Sequence, residues 1–213
     1  MNFEQTTDRL ILRILSADDA EKVLQFYKDN AAIFEQFEPL IGNDFYSLEH
    51  QKNLLTYEYQ EILKLHMLRF WIFEKDNPDR IIGTVSFHNI SPNIYSSAQL
   101  GYKMDQHFWR KGYCYEAIKA GIRIVSGDIG IRRYEALVLP DNTPSICLLK
   151  KLGFHKEGLL VDKVFFAKSL ARSLSLWLYR SENVSAERRP HVTSNQACPR
   201  DITEKSSFTK AAG

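Results

Sequence analysis

Cysteine is scarce in this sequence of 213 residues, which holds three: Cys114, Cys147 and Cys198. An odd and sparse count argues against a disulfide framework, and no pair has zinc-finger spacing. No apolar run approaches the ~20 residues that a membrane helix needs. The first residues lack the basic and apolar regions of a secretory signal. These absences predict a cytoplasmic domain with no membrane partner.

A surplus of one charge is also missing. Lysine and arginine number 28, aspartate and glutamate 26, and the formal net charge is +2. Such a balance creates no field over the whole chain to attract nucleic acid, so we expect no direct nucleic-acid partner. The 44% of hydrophobic and 25% of charged residues are typical of a globular domain and exclude a fibrous or wholly disordered chain.

Hydrophobic spacing predicts elements in the order β-α-α-β-β-β-α-β-α-β-β. The predicted strands are 9–15, 69–74, 81–88, 98–104, 133–139, 161–167 and 174–179, and the predicted helices are 17–30, 47–67, 111–126 and 143–152. This order favours an α+β domain, residues 1–182, with a mixed sheet of about seven strands and helices on both faces. Residues 183–213 are polar and are predicted to form a disordered tail.

The segment from Gln99 to Ala117 is the most informative about chemistry. A strand ends near Met104, a short loop carries Gly112, and a helix begins at once. The unsatisfied N–H groups of a first helical turn attract anions. Arg110 and Lys111 add positive charge beside it, so the arrangement suits a pyrophosphate. An ordinary helix start that carries a glycine and a lysine explains the pattern equally well. Neither the P-loop pattern nor the Rossmann glycine pattern is present in the chain.

This loop resembles the acetyl-CoA loop of the GNAT acyltransferases, Q/R-x-x-G-x-G/A, with Trp109, Gly112 and Cys114 at its three positions. The wider pattern W-x-K-G-Y-x-x-E-A is similar to the branch that acetylates the N-termini of ribosomal proteins. Four further matches, in chain order, are the opening TTDRLILR, Ile82-Gly83, the block from Asn142 to Phe154, and Glu157-Gly158. The resemblance covers about Thr7 to Arg180.

The resemblance implies the GNAT fold, with a mostly antiparallel sheet, and an acetyl-CoA-dependent N-acetyltransferase that uses no metal. Backbone from Tyr102 to Asp105 would pair with the pantetheine arm, and backbone N–H groups from Arg110 to Cys114 would hold the pyrophosphate. The implied cofactor-binding residues are Lys103, Met104, Asp105, Trp109, Arg110, Lys111, Gly112, Tyr113, Cys114, Asn142 and Ser145. Two alternatives stay open: Asn142 as a helix cap and Trp109 as a core residue.

Direct attack of an amine on the thioester needs proton transfer, and two catalytic residues are proposed for it. Glu135 is the candidate base, acting directly or through water, and Tyr102 is the candidate proton donor. A solvent-facing carboxylate and a packed tyrosine are the alternatives. The candidate substrate-binding residues are Glu38, Gln99 and Asp162. A small Cys114 at the helix start is expected to be structural rather than a nucleophile.

The chain departs from common GNAT patterns at Leu149, where many members carry a tyrosine acid, at Gln99, where a glutamate is frequent, and at Val161, where an arginine is usual. A site without an evident strong base favours an amine of low pKa. A lysine side chain at pKa ~10.4 costs about 3 kcal/mol more to deprotonate at pH 7 than an α-amine at ~8. The sequence therefore predicts acetylation of a protein N-terminus by a monomer or a homodimer.

Two other functions remain open at this point. One is a small-molecule acetyltransferase for a polyamine, amino-acid or antibiotic-like acceptor. The other is a degenerate domain that binds acyl-CoA and serves as a sensor or interaction module, which the departures at Gln99 and Leu149 motivate.

Overall fold

The computed structural model describes residues 3–37, 42–166 and 169–179. The strands are β1 (Glu4–Thr6), β2 (Leu10–Arg13), β3 (Leu68–Glu74), β4 (Asn77–Ser91), β5 (Ser97–Met104), β6 (Arg133–Val138), β7 (His155–Phe166) and β8 (Ser169–Tyr179). The α-helices are α1 (Ala20–Phe34), α2 (Leu48–Leu63), α3 (Tyr113–Ile129) and α4 (Thr143–Lys151). The strands form one sheet in the order β1-β2-β3-β4-β5-β6-β8-β7.

The sheet is antiparallel at every strand contact except one. Among the described strands, only β5 and β6 run parallel, and the 17-residue helix α3 connects them, as a parallel pair requires. The expectation of a mixed, mostly antiparallel sheet is confirmed. The sheet has eight strands rather than about seven because β1 is a three-residue strand, EQT, without hydrophobic alternation.

Side chains alternate along each strand and build a core on each side of the sheet. Phe70 and Ile72 of β3 belong to a core that includes Ile118 of α3. We call this side the α3 face. Trp71 and Phe73 belong to a second core, built with residues of α1 and α2, and this side is the α1 face. Helices therefore cover both faces, as predicted.

The contact between β5 and β6 is unusually short. The two strands share three register pairs, Ser97 with Arg133, Ala98 with Tyr134 and Gln99 with Glu135. Beyond these pairs, β5 continues to Met104 and stays paired with β4 alone. We call the resulting separation between the two strands the split. Among the residues that the structure describes, the β6-facing backbone at the end of β5 has no strand partner.

Several boundaries differ from the predicted ones. Strand β7 begins at His155 instead of residue 161, because its exposed polar start has no hydrophobic alternation to reveal it. Helix α2 ends at Leu63, four residues before the predicted end. At its start, the Ser47 hydroxyl caps the helix by accepting a hydrogen bond from the His50 N–H over 3.2 Å.

The predicted tail, residues 183–213, lies outside the described residues. Among residues 3–37, 42–166 and 169–179, no helix is both long and apolar enough to cross a bilayer.

Candidate active site

The loop before α3 has a backbone shape suited to an anion. Gly112 is the N-cap of α3 with φ of +79°, and Arg110 has φ of +60°, while Lys111 between them is not in the positive region. Alternation of this kind turns successive N–H groups toward one concavity, which binds anions. The first turn of α3 adds its own unsatisfied N–H groups. The structure thus brings the predicted pyrophosphate-binding residues together at one helix start.

Trp109 lies at the surface rather than in the core. Its side chain is 46% exposed, and its Nε1 donates a hydrogen bond to the Met104 carbonyl oxygen over 2.8 Å. The indole therefore holds the loop against the end of β5. One of the two acceptor positions of that carbonyl is taken, so a cofactor contact there would have to share it.

Asp105 and Lys103 both have local partners. The buried Asp105 carboxylate accepts hydrogen bonds from Arg80 and from the backbone and ring of His107. Burial raises the pKa of this carboxyl, but those hydrogen bonds outweigh burial and lower it overall. Lys103 Nζ lies 4.9 Å from the centre of the Tyr27 ring, on the α1 face. Direct cofactor contacts by these side chains stay predictions.

Tyr102 and Ser145 meet across the split. Their hydroxyl oxygens are 2.6 Å apart, and they join β5 to the first turn of α4. Burial raises the pKa of Tyr102 far above its ordinary value, so the phenol stays protonated at neutral pH. Asn142 accepts a hydrogen bond from the Ser145 N–H over 3.2 Å, which is the geometry of a helix cap.

Glu135 and Gln99 are neighbours at the last register pair before the split. Glu135 is half-exposed, and its Oε1 accepts a hydrogen bond from Arg133 Nε over 2.7 Å. Gln99 Oε1 accepts one from Asn89 Nδ2 over 3.0 Å. By strand alternation these side chains lie on the α1 face, whereas Tyr102 packs with the core of the α3 face. The two candidate catalytic residues therefore flank the split from opposite faces of the sheet.

Three of the candidates from the sequence remain, namely Glu38, Asp162 and Cys114. Glu38 and the side chain of Asp162 lie outside the described residues. Burial raises the pKa of the Cys114 thiol to about 12, which keeps it protonated and fits a structural role. No cluster of three or more histidine, cysteine, aspartate or glutamate side chains within the described ranges could hold a metal.

His88 is a residue of this site that the sequence did not reveal. It pairs in register with Gln99 on the α1 face, and its Nε2 lies 2.9 Å from the Ser86 hydroxyl oxygen. Burial, with smaller contributions from the charges of Arg69 and Lys103, lowers its pKa to about 4. A neutral imidazole therefore stands beside the split. The run IIGTVSFH indicates only a buried strand, and nothing in it marks this histidine.

A buried ion pair lies on the same face. Glu58 of α2 and Arg69 of β3 approach to 2.9 Å, with side chains 6% and 13% exposed. Burial raises the pKa of Glu58, although the positive charges of Arg69 and Lys103 act in the opposite direction. Arg69 also donates a hydrogen bond to the Tyr27 hydroxyl over 3.2 Å. The α1 face thus carries paired charge inside the fold.

Comparison with known proteins gives consistent matches. The family model of the acetyltransferase (GNAT) domain matches residues 9–155. The probable N-acetyltransferase YjcK of Bacillus subtilis is 37% identical over 151 residues, which make up 70% of this chain and 82% of that protein. The ribosomal protein uS5-alanine N-acetyltransferase of Escherichia coli is 31% identical over 159 residues, covering 74% of this chain and 80% of that protein. Among solved structures, the ribosomal-protein-S5-alanine acetyltransferase from Vibrio fischeri superposes with a TM-score of 0.79 at 22% identity, covering 85% of this chain and 98% of that one.

Proposed function

Since the chain belongs to the GNAT acetyltransferase family, and is therefore an acetyl-CoA-dependent N-acetyltransferase, we propose that its acceptor is the α-amine of a protein N-terminus. A ribosomal protein is the acceptor class we favour. The relative from Escherichia coli is named for acetylation of an alanine on such a protein. Acetylation of newly synthesised ribosomal proteins would place the enzyme in the cytoplasm.

The observation that carries the acetyl-transfer part of the proposal is the split beside the loop before α3. Beyond the Gln99–Glu135 pair, no strand in the described part of the chain pairs with β5 on its β6 side, and an extended polyamide arm can pair there in place of a strand. The concave N–H groups at Gly112 lie at the start of the helix that follows. Pyrophosphate at this helix start and pantetheine along β5 would bring the thioester to the split.

Acetyl transfer then needs one bond to form and one to break. The neutral amine nitrogen attacks the thioester carbonyl carbon, the C–N bond forms, and the C–S bond breaks as the thiolate leaves. The amine proton passes to a base on the α1 face, for which Glu135 is the candidate, directly or through water. The thiolate takes a proton from the other side, for which Tyr102, paired with Ser145, is the candidate. Their placement on opposite faces separates the two proton transfers.

The electrostatics near the split support an α-amine as acceptor. Arg69 and Lys103 are near enough to His88 to lower its pKa, and an amine that stays protonated would meet the same positive field. An α-amine has a pKa of ~8 against ~10.4 for a lysine side chain. It therefore reaches its neutral, reactive form with less cost in free energy.

A panel of amines tests the acceptor. The wild-type chain is incubated with acetyl-CoA and equal concentrations of an Ala-first peptide, the same peptide with its N-terminus blocked and one internal lysine, or a polyamine. We expect fastest thiol release with the free Ala-first peptide, and mass spectrometry should locate acetyl at its α-amine. Faster reaction of the lysine or polyamine would contradict the proposal and favour a small-molecule acetyltransferase. Tight CoA binding without thiol release on any amine would instead favour a binding module.

Substitution of Tyr102 tests the proton donor. Tyr102→Phe removes only the hydroxyl that meets Ser145, and we expect kcat to fall about 10²-fold or more, as for a lost general acid, with little change in KM for acetyl-CoA. Tyr95→Phe is the matched control, because Tyr95 is 76% exposed at the tip between β4 and β5. Equal kcat values for the Tyr102 variant and the wild type would remove Tyr102 from the mechanism.

A further inference from the structure

The segment before β2 reaches across to the loop that precedes α3. Arg9 donates a hydrogen bond from Nη1 to the Lys111 carbonyl oxygen over 2.9 Å. Its Nε and Nη2 both contact Glu116 Oε2, at 2.8 and 2.7 Å. Its guanidinium carbon lies 4.6 Å from the centre of the Tyr113 ring. One arginine thus contacts the loop, the first turn of α3 and the ring between them.

We propose that Arg9 is a positioning residue for the cofactor's pyrophosphate, acting through the orientation of the Lys111–Gly112 peptide. A trans peptide is planar, and its C=O and N–H point in opposite directions. Because Arg9 holds the Lys111 carbonyl on its own side, the Gly112 N–H points away from Arg9. Without this contact the Lys111–Gly112 peptide could rotate, because Gly112, with φ of +79°, is a glycine and tolerates many conformations.

Glu116 fixes Arg9 in turn. Its Oε1 accepts hydrogen bonds from the Thr7 hydroxyl over 2.6 Å and from the Arg9 backbone N–H over 2.9 Å. Burial raises the pKa of Glu116, but these hydrogen bonds and the Arg9 guanidinium outweigh it and lower the pKa overall. Glu116 is therefore ionised at neutral pH and balances the charge of Arg9. The contribution of Arg9 is the direction of a backbone donor rather than an added positive charge.

The same arrangement explains why a larger residue at position 112 is a poor probe of the loop. A Cβ built on Gly112 would lie 3.4 Å from Arg9 Nη2, at a φ that L-residues rarely adopt. Gly112→Asp would strain the backbone and place a carboxylate against Arg9 as well as near the phosphate. Loss of cofactor affinity in that variant would have several causes, so Arg9 is the cleaner position to change.

The chain offers a matched control at Arg13, the last residue of β2. Arg13 Nε pairs with Glu4 over 2.6 Å, its Nη1 donates to the Pro78 carbonyl over 2.8 Å, and its guanidinium carbon lies 4.9 Å from the centre of the Phe73 ring. It therefore makes the same three kinds of contact as Arg9. None of these partners belongs to the loop before α3.

The experiment measures the Kd of CoA and of pantetheine, which lacks the pyrophosphate together with the 3′-phosphoadenosine, for the full chain by titration calorimetry. Arg9→Met should weaken CoA binding about tenfold and leave pantetheine binding within about twofold. Arg13→Met should leave both dissociation constants at wild-type values. Arg9→Lys keeps the positive charge but cannot contact Glu116 and the Lys111 carbonyl together as a guanidinium does. The logarithm of its ratio of dissociation constants, pantetheine over CoA, should therefore fall to less than half of the wild-type value.

The inference rests on the proposed use of this loop for pyrophosphate, and the wild-type protein checks that separately. Equal wild-type affinity for CoA and pantetheine would refute the loop assignment itself. A wild-type preference for CoA that survives in Arg9→Met would overturn the role of Arg9 alone. Parallel losses of CoA and pantetheine affinity in Arg9→Met, or full CoA preference in Arg9→Lys, would also overturn it, showing a general fold defect or a simple charge effect.

Discussion

Both faces of the sheet are covered by closely packed side chains, but the kinds of side chain differ. On the α3 face, Phe87 and Ile118 are fully buried among other hydrophobic side chains. On the α1 face, aromatic residues such as Trp71 share the interior with the Glu58–Arg69 pair and the neutral His88. Buried charge is costly unless paired. The Glu58–Arg69 pair thus places paired charge inside the α1 face, while the α3 face is the scaffold that carries α3.

The largest loss of stability should come from truncating a core side chain on the α3 face. Phe87 is fully buried beside Tyr134, with ring centres 5.8 Å apart, and its ring would lie 2.9 Å from a Cβ on Gly121. Phe87→Ala should lower the free energy of unfolding by about 4 kcal/mol, because it leaves a cavity in a close-packed core. Urea unfolding measures it. A loss below about 1 kcal/mol would mean that this face packs no more tightly than a surface.

A somewhat smaller loss should follow from breaking the ion pair on the α1 face. Glu58→Ala leaves the Arg69 charge buried without its 2.9 Å partner, and should cost about 3 kcal/mol. Replacing both residues by methionine should restore most of that stability, because no uncompensated charge remains. Glu4→Ala at the exposed Arg13 pair is the control and should cost under about 1 kcal/mol. A double variant as unstable as Glu58→Ala would show that the pair itself stabilises the fold.

The smallest effect concerns pH. The pKa of His88 is about 4 in the folded chain against an ordinary 6.5, so between these values the unfolded chain binds the proton and the folded chain does not. The free energy of unfolding should therefore fall as pH drops from about 6.5 to about 4. The difference between the two pKa values corresponds to about 3 kcal/mol, and because the ring is only partly buried, solvent screening should reduce this to roughly 1–2 kcal/mol. His88→Gln should remove that part of the decrease. Identical pH profiles for the variant and the wild type would place His88 in an ordinary solvated environment.

Much of the fold is legible in the sequence because its elements carry strong local signals. Ser47 marks the start of α2, and the apolar stripe of α3 marks a helix on a buried face. The exposed start of β7 and the three-residue β1 carry no such signal. They exist because neighbouring strands offer hydrogen-bond partners, a long-range cause that local periodicity does not contain.

The residues of the candidate site also differ in whether the sequence reveals them. The loop around Gly112 is legible from its motif, since phosphate binding depends on backbone shape within a few residues. His88 and Arg9 are not, because each acquires its role from partners distant in the chain, such as Glu116 for Arg9. Tyr102 and Glu135 are visible as residues, but their placement on opposite faces follows from sheet register.

The three-pair contact between β5 and β6 also has a mechanical consequence. It divides the sheet into two blocks. These blocks are joined by the three register pairs, which we call the seam, by α3 and by the Tyr102–Ser145 contact. An acyl-CoA arm lying in the split would act as a ninth strand that fastens one block to the other. Amide hydrogens on both sides of the seam should then exchange with solvent together and more slowly in the presence of CoA, so that the substrate completes the architecture of the enzyme that uses it.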